Sequence, residues 1–363
     1  MKTLLVATRK GLFVIEGQGA EWQIVAHHFV GEPVTQVLAD ARTGSWYAAL
    51  RLGHFGVKLK KTQDKGDSWE EIAAPAFPPK PEHAADDAMP WNVDLIWALS
   101  AGGNDDPDTL WAGCIPAGLF KSDDGGDSWS LNDPLWQQPG RQGWFGGGYD
   151  HAGIHSILVD PYNSKHLTLG ISCGGVWQSQ DGGEHWQLSA AGMRADYMPA
   201  ESADEQNTQD PHCLVQCVSA PDVMWAQHHC GIYRSTDGAK HWDAITAAAP
   251  SRFGFAVAAD PHNPQRAWFV PAASDAHRIP VDGALVVMRP DDGGKSFTCF
   301  GDGLPEHHAY HLIYRHALDV ASDGNTLAMG STTGGLWLSA NAGETWQCVS
   351  KDLPPVAAVR FAA

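Results

Sequence analysis

Three residues able to do acid–base, ligating or anion-binding chemistry fall at one register of a repeating pattern. His155 stands fifteen residues before Gly170, His212 fifteen before Gln227 and Arg315 fifteen before Gly330, each partner closing a run that reads as a second strand. Phe255 takes the same slot, judged by its distance to Asp260-Pro261. Packing between identical repeats would favour one residue type there. His, His, Phe and Arg in four repeats point instead to a position that meets a ligand. Nearby segments add Arg51, His54, His229, Arg278 and the run Gly143-Trp144-Phe145-Gly146-Gly147-Gly148-Tyr149-Asp150. Guanidinium and imidazole groups recognise polar and anionic partners, and Trp144 or Phe145 could stack on a sugar ring. The competing expectation is that these residues solvate a water-filled channel and tie its loops down.

Sharper chemistries stay open at this point. His155, His212 and His229 could hold a divalent metal such as zinc, copper or iron, which would fit a lyase or lactonase. Cys213 and Cys217 are expected on the opposite strand face from His212, so one site would not use both sets. A glycosidase needs two carboxylates flanking the scissile bond, or a Tyr nucleophile. Asp94, Asp150, Asp210 and Asp275 are the available acids, with Tyr149 close in sequence, and no spacing singles out a pair. His155, His212, Asp150 and Asp275 are therefore the catalytic candidates.

These residues are hung on a repeat. Octets recur at Thr62–Trp69, Ser122–Trp129, Ser179–Trp186, Ser235–Trp242, Pro290–Phe297 and Ser339–Trp346, with the pattern Ser/Thr-x-Asp-x-Gly-x-Ser/Thr-Trp or a decay of it. A seventh, eroded copy runs from Glu16 to Trp22. The third-position Asp can accept backbone N–H groups of its own turn, and the fifth-position Gly supplies a positive φ. The closing aromatic should bury its ring against a neighbouring sheet. Read as a calcium loop, the octet lacks the Glu that an EF-hand needs.

Around each octet, four short strands are legible; one unit reads His155–Pro161, His166–Gly170, Gly175–Ser179 and Trp186–Ser189. Inner strands begin near Val34, Asp94, His155, His212, Phe255 and Arg315, which makes six for seven octets. Pro355–Phe361 follows the last octet, and the first repeat lacks an inner strand, so the C-terminal strand should complete the N-terminal sheet. The expectation is an all-β, seven-bladed β-propeller of four-stranded antiparallel blades, one domain over residues 1–363. The octets are three-to-four turns and mark one face. The opposite face receives the long connections 73–92, 132–153 and 190–211, together with His54, His83, His151, His155, His212, His228, His229, His277, His307, His308 and His311.

The octets resemble those of the BNR or Asp-box superfamily, which includes sialidases, sortilin-type receptors, xyloglucan-degrading glycoside hydrolases and photosystem II stability/assembly factors; the resemblance covers essentially the whole chain. It implies that the octets are turns remote from an active site, and that a sialidase-like or glycosyl hydrolase-like activity and a non-catalytic assembly scaffold are both open. Seven repeats fit the assembly-factor-like group better than six-bladed sialidases. His277-Arg278-Ile279-Pro280 resembles the sialidase Arg-Ile-Pro motif but falls in the sixth repeat rather than the first.

Composition narrows the partners. A formal net charge of -18 and 42 acidic residues argue against nucleic acid or an anionic membrane surface. A small-molecule or glycan ligand, and a protein partner, remain. Lys10 and Arg9 interrupt the opening apolar run short of a signal peptide. Seven scattered cysteines suit reduced thiols, so a cytoplasmic location is expected.

Overall fold

The computed structural model describes residues 1–82 and 89–362; His83 lies outside them. Among the described residues, twenty-eight strands form seven four-stranded antiparallel sheets. The first blade contains β1 (Lys2–Thr8), β2 (Gly11–Gln18) and β3 (Glu21–His28); the second β4 (Val34–Ala39), β5 (Trp46–Arg51), β6 (Val57–Thr62) and β7 (Glu70–Ile72). The third comprises β8 (Leu95–Ala101), β9 (Leu110–Ile115), β10 (Leu119–Ser122) and β11 (Ser130–Leu131), the fourth β12 (Ile154–Asp160), β13 (Asn163–Ile171), β14 (Gly175–Ser179) and β15 (Gln187–Leu188). The fifth is β16 (Pro211–Cys217), β17 (Ala220–His228), β18 (Gly231–Ser235) and β19 (Asp243–Ile245), and the sixth β20 (Gly254–Ala259), β21 (Ala267–Pro271), β22 (Val287–Arg289) and β23 (Thr298–Phe300). The seventh is β24 (Leu318–Val320), β25 (Leu327–Gly330), β26 (Leu336–Ser339) and β27 (Gln347–Ser350). Strand β28 (Val356–Ala362) then pairs with β1, Leu4 opposite Phe361 and Val6 opposite Val359. This closes the ring, so the first blade gains its inner strand from the C-terminus and β1 is not left as a bare edge.

The octets are the turns between third and fourth strands. In Ser122–Trp129 the Ser122 hydroxyl donates to Asp124 Oδ1 (2.8 Å) and accepts the Gly126 N–H (2.8 Å), while Asp124 accepts the Ser128 N–H and hydroxyl. Those Ser128 bonds, with the Ser122 hydroxyl, hold the Asp124 carboxyl at about 2. The fifth position has positive φ throughout, including +62° at Ala239, where the chain carries a side chain instead of Gly. The closing Trp residues fasten blades together: the indole N–H of Trp129 donates to Ala73 O (3.0 Å), that of Trp186 to Asn132 Oδ1 (2.9 Å) and that of Trp242 to Ser189 O (2.8 Å), each on the preceding blade.

The inner strands are braced side chain to backbone around the ring. Thr35 Oγ1 donates to Ile96 O, Gln36 Nε2 to Trp97 O, and Ser156 Oγ accepts the Leu214 N–H. Among the described residues no helix is long and apolar enough to cross a membrane.

Candidate functional site

The register that carries His155, His212 and Phe255 is a β-bulge. In six blades the pairing of inner and second strands slips near the inner strand's entrance, at Thr35, Trp97, His155, His212, Phe255-Ala256 and Ala357. An extra residue leaves the in–out alternation and is turned toward the propeller axis. The seventh blade shows no such slip: β24 begins only at Leu318, and Arg315 and His316 form the turn before it. The expected inner strand starting at Arg315 is thus corrected. Released from pairing, this turn crosses the axis. His316 Nε2 donates to His155 O (2.7 Å) on the opposite side of the ring, and Arg315 O faces Cys213 Sγ at 3.7 Å. No Cβ could stand at Gly170 without coming within 2.8 Å of the His155 ring, so the second-strand Gly makes room for the bulged imidazole.

The Arg315-His316 turn therefore plugs the channel, and the expected open, water-filled tunnel is replaced by two depressions that share these two residues as a floor. The one opposite the octets has a volume of 1090 Å³. Its cations are Arg9, Lys10, Arg51, Arg278 and Arg315, and its aromatic rings Trp97, Tyr149, Phe255, Tyr310 and Tyr314. No Asp or Glu lines it among the described residues, against a chain charge of -18. Arg51 pairs with Asp94 (2.7 Å) and Arg278 with Asp275, both at the exposed rim.

Arg315 differs. It is buried, its guanidinium lies 4.6 Å from the Trp97 ring centre and 5.5 Å from that of Phe255, its Nε has no hydrogen-bond partner, and it makes no ion pair among the described residues. Burial pushes its pKa down, with Asp210 the foremost group opposing that. Trp97 and Phe255 supply the cation–π faces that make a buried guanidinium tolerable.

Behind Phe255, whose ring stacks on His212 at 4.4 Å, lies a second cluster. His212 Nδ1 donates to Gly254 O (2.6 Å), and its Nε2 stands 3.5 Å from Asp210 Oδ2. His229 Nδ1 is 3.5 Å from the same oxygen. Asp210 Oδ1 accepts the Ser172 hydroxyl and the Cys173 N–H, both at 3.1 Å. Burial opposes the ionised carboxylate, yet the two imidazoles and Arg315 hold it well below the ordinary carboxylate range. His228 lies between the two flanking segments, its Nε2 3.0 Å from the Asp210 N and its Nδ1 3.0 Å from the Cys230 N, and the neutral ring accepts one of these two N–H groups. Gly147, a lining residue of the cavity, lies over this cluster: a Cβ there would sit 3.2 Å from Asp210 Oδ2.

The residues proposed from sequence are thus distributed. Arg51, Phe255, Arg278 and Arg315 meet in the cavity. His155 lies deeper, beneath the Trp97 ring and against the lower depression. His212 and His229 flank Asp210, and His155 does not join them. His54 is exposed in a one-turn 3-10 helix (Gly53–Phe55) at the rim, and Asp150 is exposed. Trp144 is corrected: it is 5% exposed, packs edge-on to Trp177 and donates its indole N–H to Asn207 Oδ1, so its face is spent in the core. The cavity's rings instead include Trp97, which the fifteen-residue spacing misses because it precedes Gly113, its bulge partner, by sixteen. The turn joining β8 to β9 is longer there and displaces the signal by one residue.

No protein-family model matches the chain. An oligoxyloglucan-reducing end-specific xyloglucanase from Emericella nidulans is 24% identical over 270 residues, 66% of this chain and 30% of that protein. A GH74 enzyme from Niastella koreensis superposes with a TM-score of 0.65 at 15% identity, over 97% of this chain and 52% of that one. The structure of YCF48 bound to D1 peptide superposes with a TM-score of 0.55 at 16% identity, over 88% and 84% respectively. These likenesses show the propeller fold. The chain spans under a third of the xyloglucanase and about half of the GH74 enzyme.

Proposed function

We propose that the chain binds a carboxylated small molecule of the sugar-acid class in the cavity opposite the octet turns. One observation carries this: Arg315, a buried guanidinium without a carboxylate partner, floors a cavity lined by four further cations and no acid among the described residues. A buried cation is normally paired, and the missing anion is what a ligand would bring. Trp97, Tyr149, Tyr310 and Tyr314 offer faces for a sugar ring. The glycoside-hydrolase neighbours favour a carbohydrate-like ligand. Among the described residues, however, the cavity lining holds no carboxylate pair of the kind glycoside hydrolysis ordinarily requires, so binding is supported better than that reaction.

Calorimetric titration with hexuronates and with the corresponding uncharged hexoses tests this. Binding of the acids and not of the neutral sugars is expected, weakening as salt rises. Equal binding of both, or of neither, would remove the reading. An acidic peptide is the second candidate, favoured by Phe55 and Tyr310 at the rim, 69% and 64% exposed. It is distinguished by competition: the peptide must displace the hexuronate. The seven free thiols, four of them buried, support a reducing, cytoplasmic setting.

A further inference from the structure

The Asp210 cluster is separate from the cavity lining, and its geometry asks for something the side chains do not supply. The Nδ1–H of His212 is committed to Gly254 O, which leaves Nε2 to face Asp210 Oδ2. At 3.5 Å these atoms stand at the long limit of a hydrogen bond. His229 Nδ1 faces the same oxygen from the more open side, its side chain 23% exposed against 2% for Asp210 and His212. Two imidazole nitrogens and one carboxylate oxygen thus converge within 4.8 Å of one another.

The spacing suits a metal. Donors held at about 2.1 Å around a tetrahedral ion stand about 3.4 Å apart; both nitrogen–oxygen separations are 3.5 Å, and the two nitrogens lie within 4.8 Å of each other. The outer contacts are also those a metal centre uses. A carbonyl orients the His212 ring and fixes which nitrogen is free, and the Ser172 hydroxyl and Cys173 N–H hold the carboxylate by its other oxygen. His228 packs between the backbone segments on either side of the set, at Asp210 and Cys230, and accepts an N–H from one of them. Gly147 keeps the space over Oδ2 free of a side chain.

We propose that Asp210 Oδ2, His212 Nε2 and His229 Nδ1 bind one divalent first-row transition ion of the zinc class, with its remaining positions open to solvent or a small ligand. Two nitrogens and one oxygen suit such an ion better than calcium or magnesium, which prefer all-oxygen sets. The assignment does not rest on what fills the Arg315 cavity.

The test uses tag-free full-length protein, stripped with a chelator and titrated with Zn²⁺ by calorimetry and with Co²⁺ by visible absorption. One ion per chain is expected, with the Co²⁺ spectrum of a low-symmetry site containing nitrogen ligands. Asp210→Asn and His212→Gln should abolish stoichiometric binding. His229→Gln should do the same with the fold intact by circular dichroism, because that ring is partly exposed. Ser172→Ala should weaken binding about tenfold without removing it, and His155→Gln should leave it unchanged. A wild-type chain that takes up no ion, or a His229→Gln variant that binds as tightly as wild type, would overturn the assignment and leave Asp210 and its imidazoles as a buried ion-pair network.

Discussion

At the scale of the residue, Arg315 carries an electrostatic cost that Asp210 and two aromatic rings relieve only in part. Its flat guanidinium lies near the Trp97 and Phe255 rings and makes no ion pair among the described residues, an arrangement expected to lower stability while it preserves a binding contact. Arg315→Met keeps the stem and removes the charge. It should raise the urea midpoint, corresponding to a gain of about 1–2 kcal/mol, while hexuronate binding disappears. A destabilised variant would mean that the cation–π contacts outweigh the desolvation. His316 gives a pH signature. Burial, then Arg360 and Arg315, push it down to about 3 from an ordinary 6.5, and burial lowers His155 in the same direction. Between those values the unfolded chain takes up a proton that the folded chain refuses. Stability should therefore be highest above about pH 6.5 and fall on acidification, by about 1.4 kcal/mol per pH unit from His316 alone. Denaturant melts from pH 7 to pH 4 check this, and His316→Gln should flatten the slope.

At the scale of the element, the bulge is the device that converts a repeat into a site. The fifteen-residue spacing was legible because His155, His212 and Gly170 or Gln227 sit at equivalent bulge positions, and pairing register is a local property of the chain. Trp97 was missed because a longer turn moved it by one residue, and Trp144 was misplaced because a Gly-rich loop does not declare which of its rings turns inward. Asp210 could be read as an acid near His212. Its convergence with His229 depends on the β17–β18 turn folding back over the β16 entrance, which sequence spacing does not encode. The octets show a division of labour. Trp242, fully buried and bonded to Ser189 on the preceding blade, should cost about 3–5 kcal/mol when replaced by Ala. Asp124→Ala, which loses hydrogen bonds at a surface turn, should cost much less, because water replaces those bonds. Comparable losses in chemical denaturation would contradict the assignment of stability to the blade interfaces.

At the scale of the whole molecule, seven repeats and a displaced inner strand were enough to anticipate a closed ring, because an N-terminal sheet short of one strand and a C-terminal strand without a sheet have one joint solution. Deleting residues 356–362 should expose the β1 edge and open the seam between first and last blades. Size-exclusion chromatography is expected to show aggregation or higher oligomers; a stable monomer with the wild-type midpoint would show that closure is dispensable. The plug was not legible, since it depends on Arg315 and His316 crossing the axis to a blade three positions away. That crossing divides the channel and gives the cation-lined cavity its floor within an otherwise acidic molecule. The central claim, that this floor is an anion site, is tested most directly by a crystal structure of the protein with a bound hexuronate. The carboxylate should lie about 2.7–2.9 Å from the Arg315 guanidinium, with the sugar ring against Trp97 or Tyr149. A hexuronate held only by the rim residues Arg51 and Arg278, with Arg315 still unpaired, would contradict it.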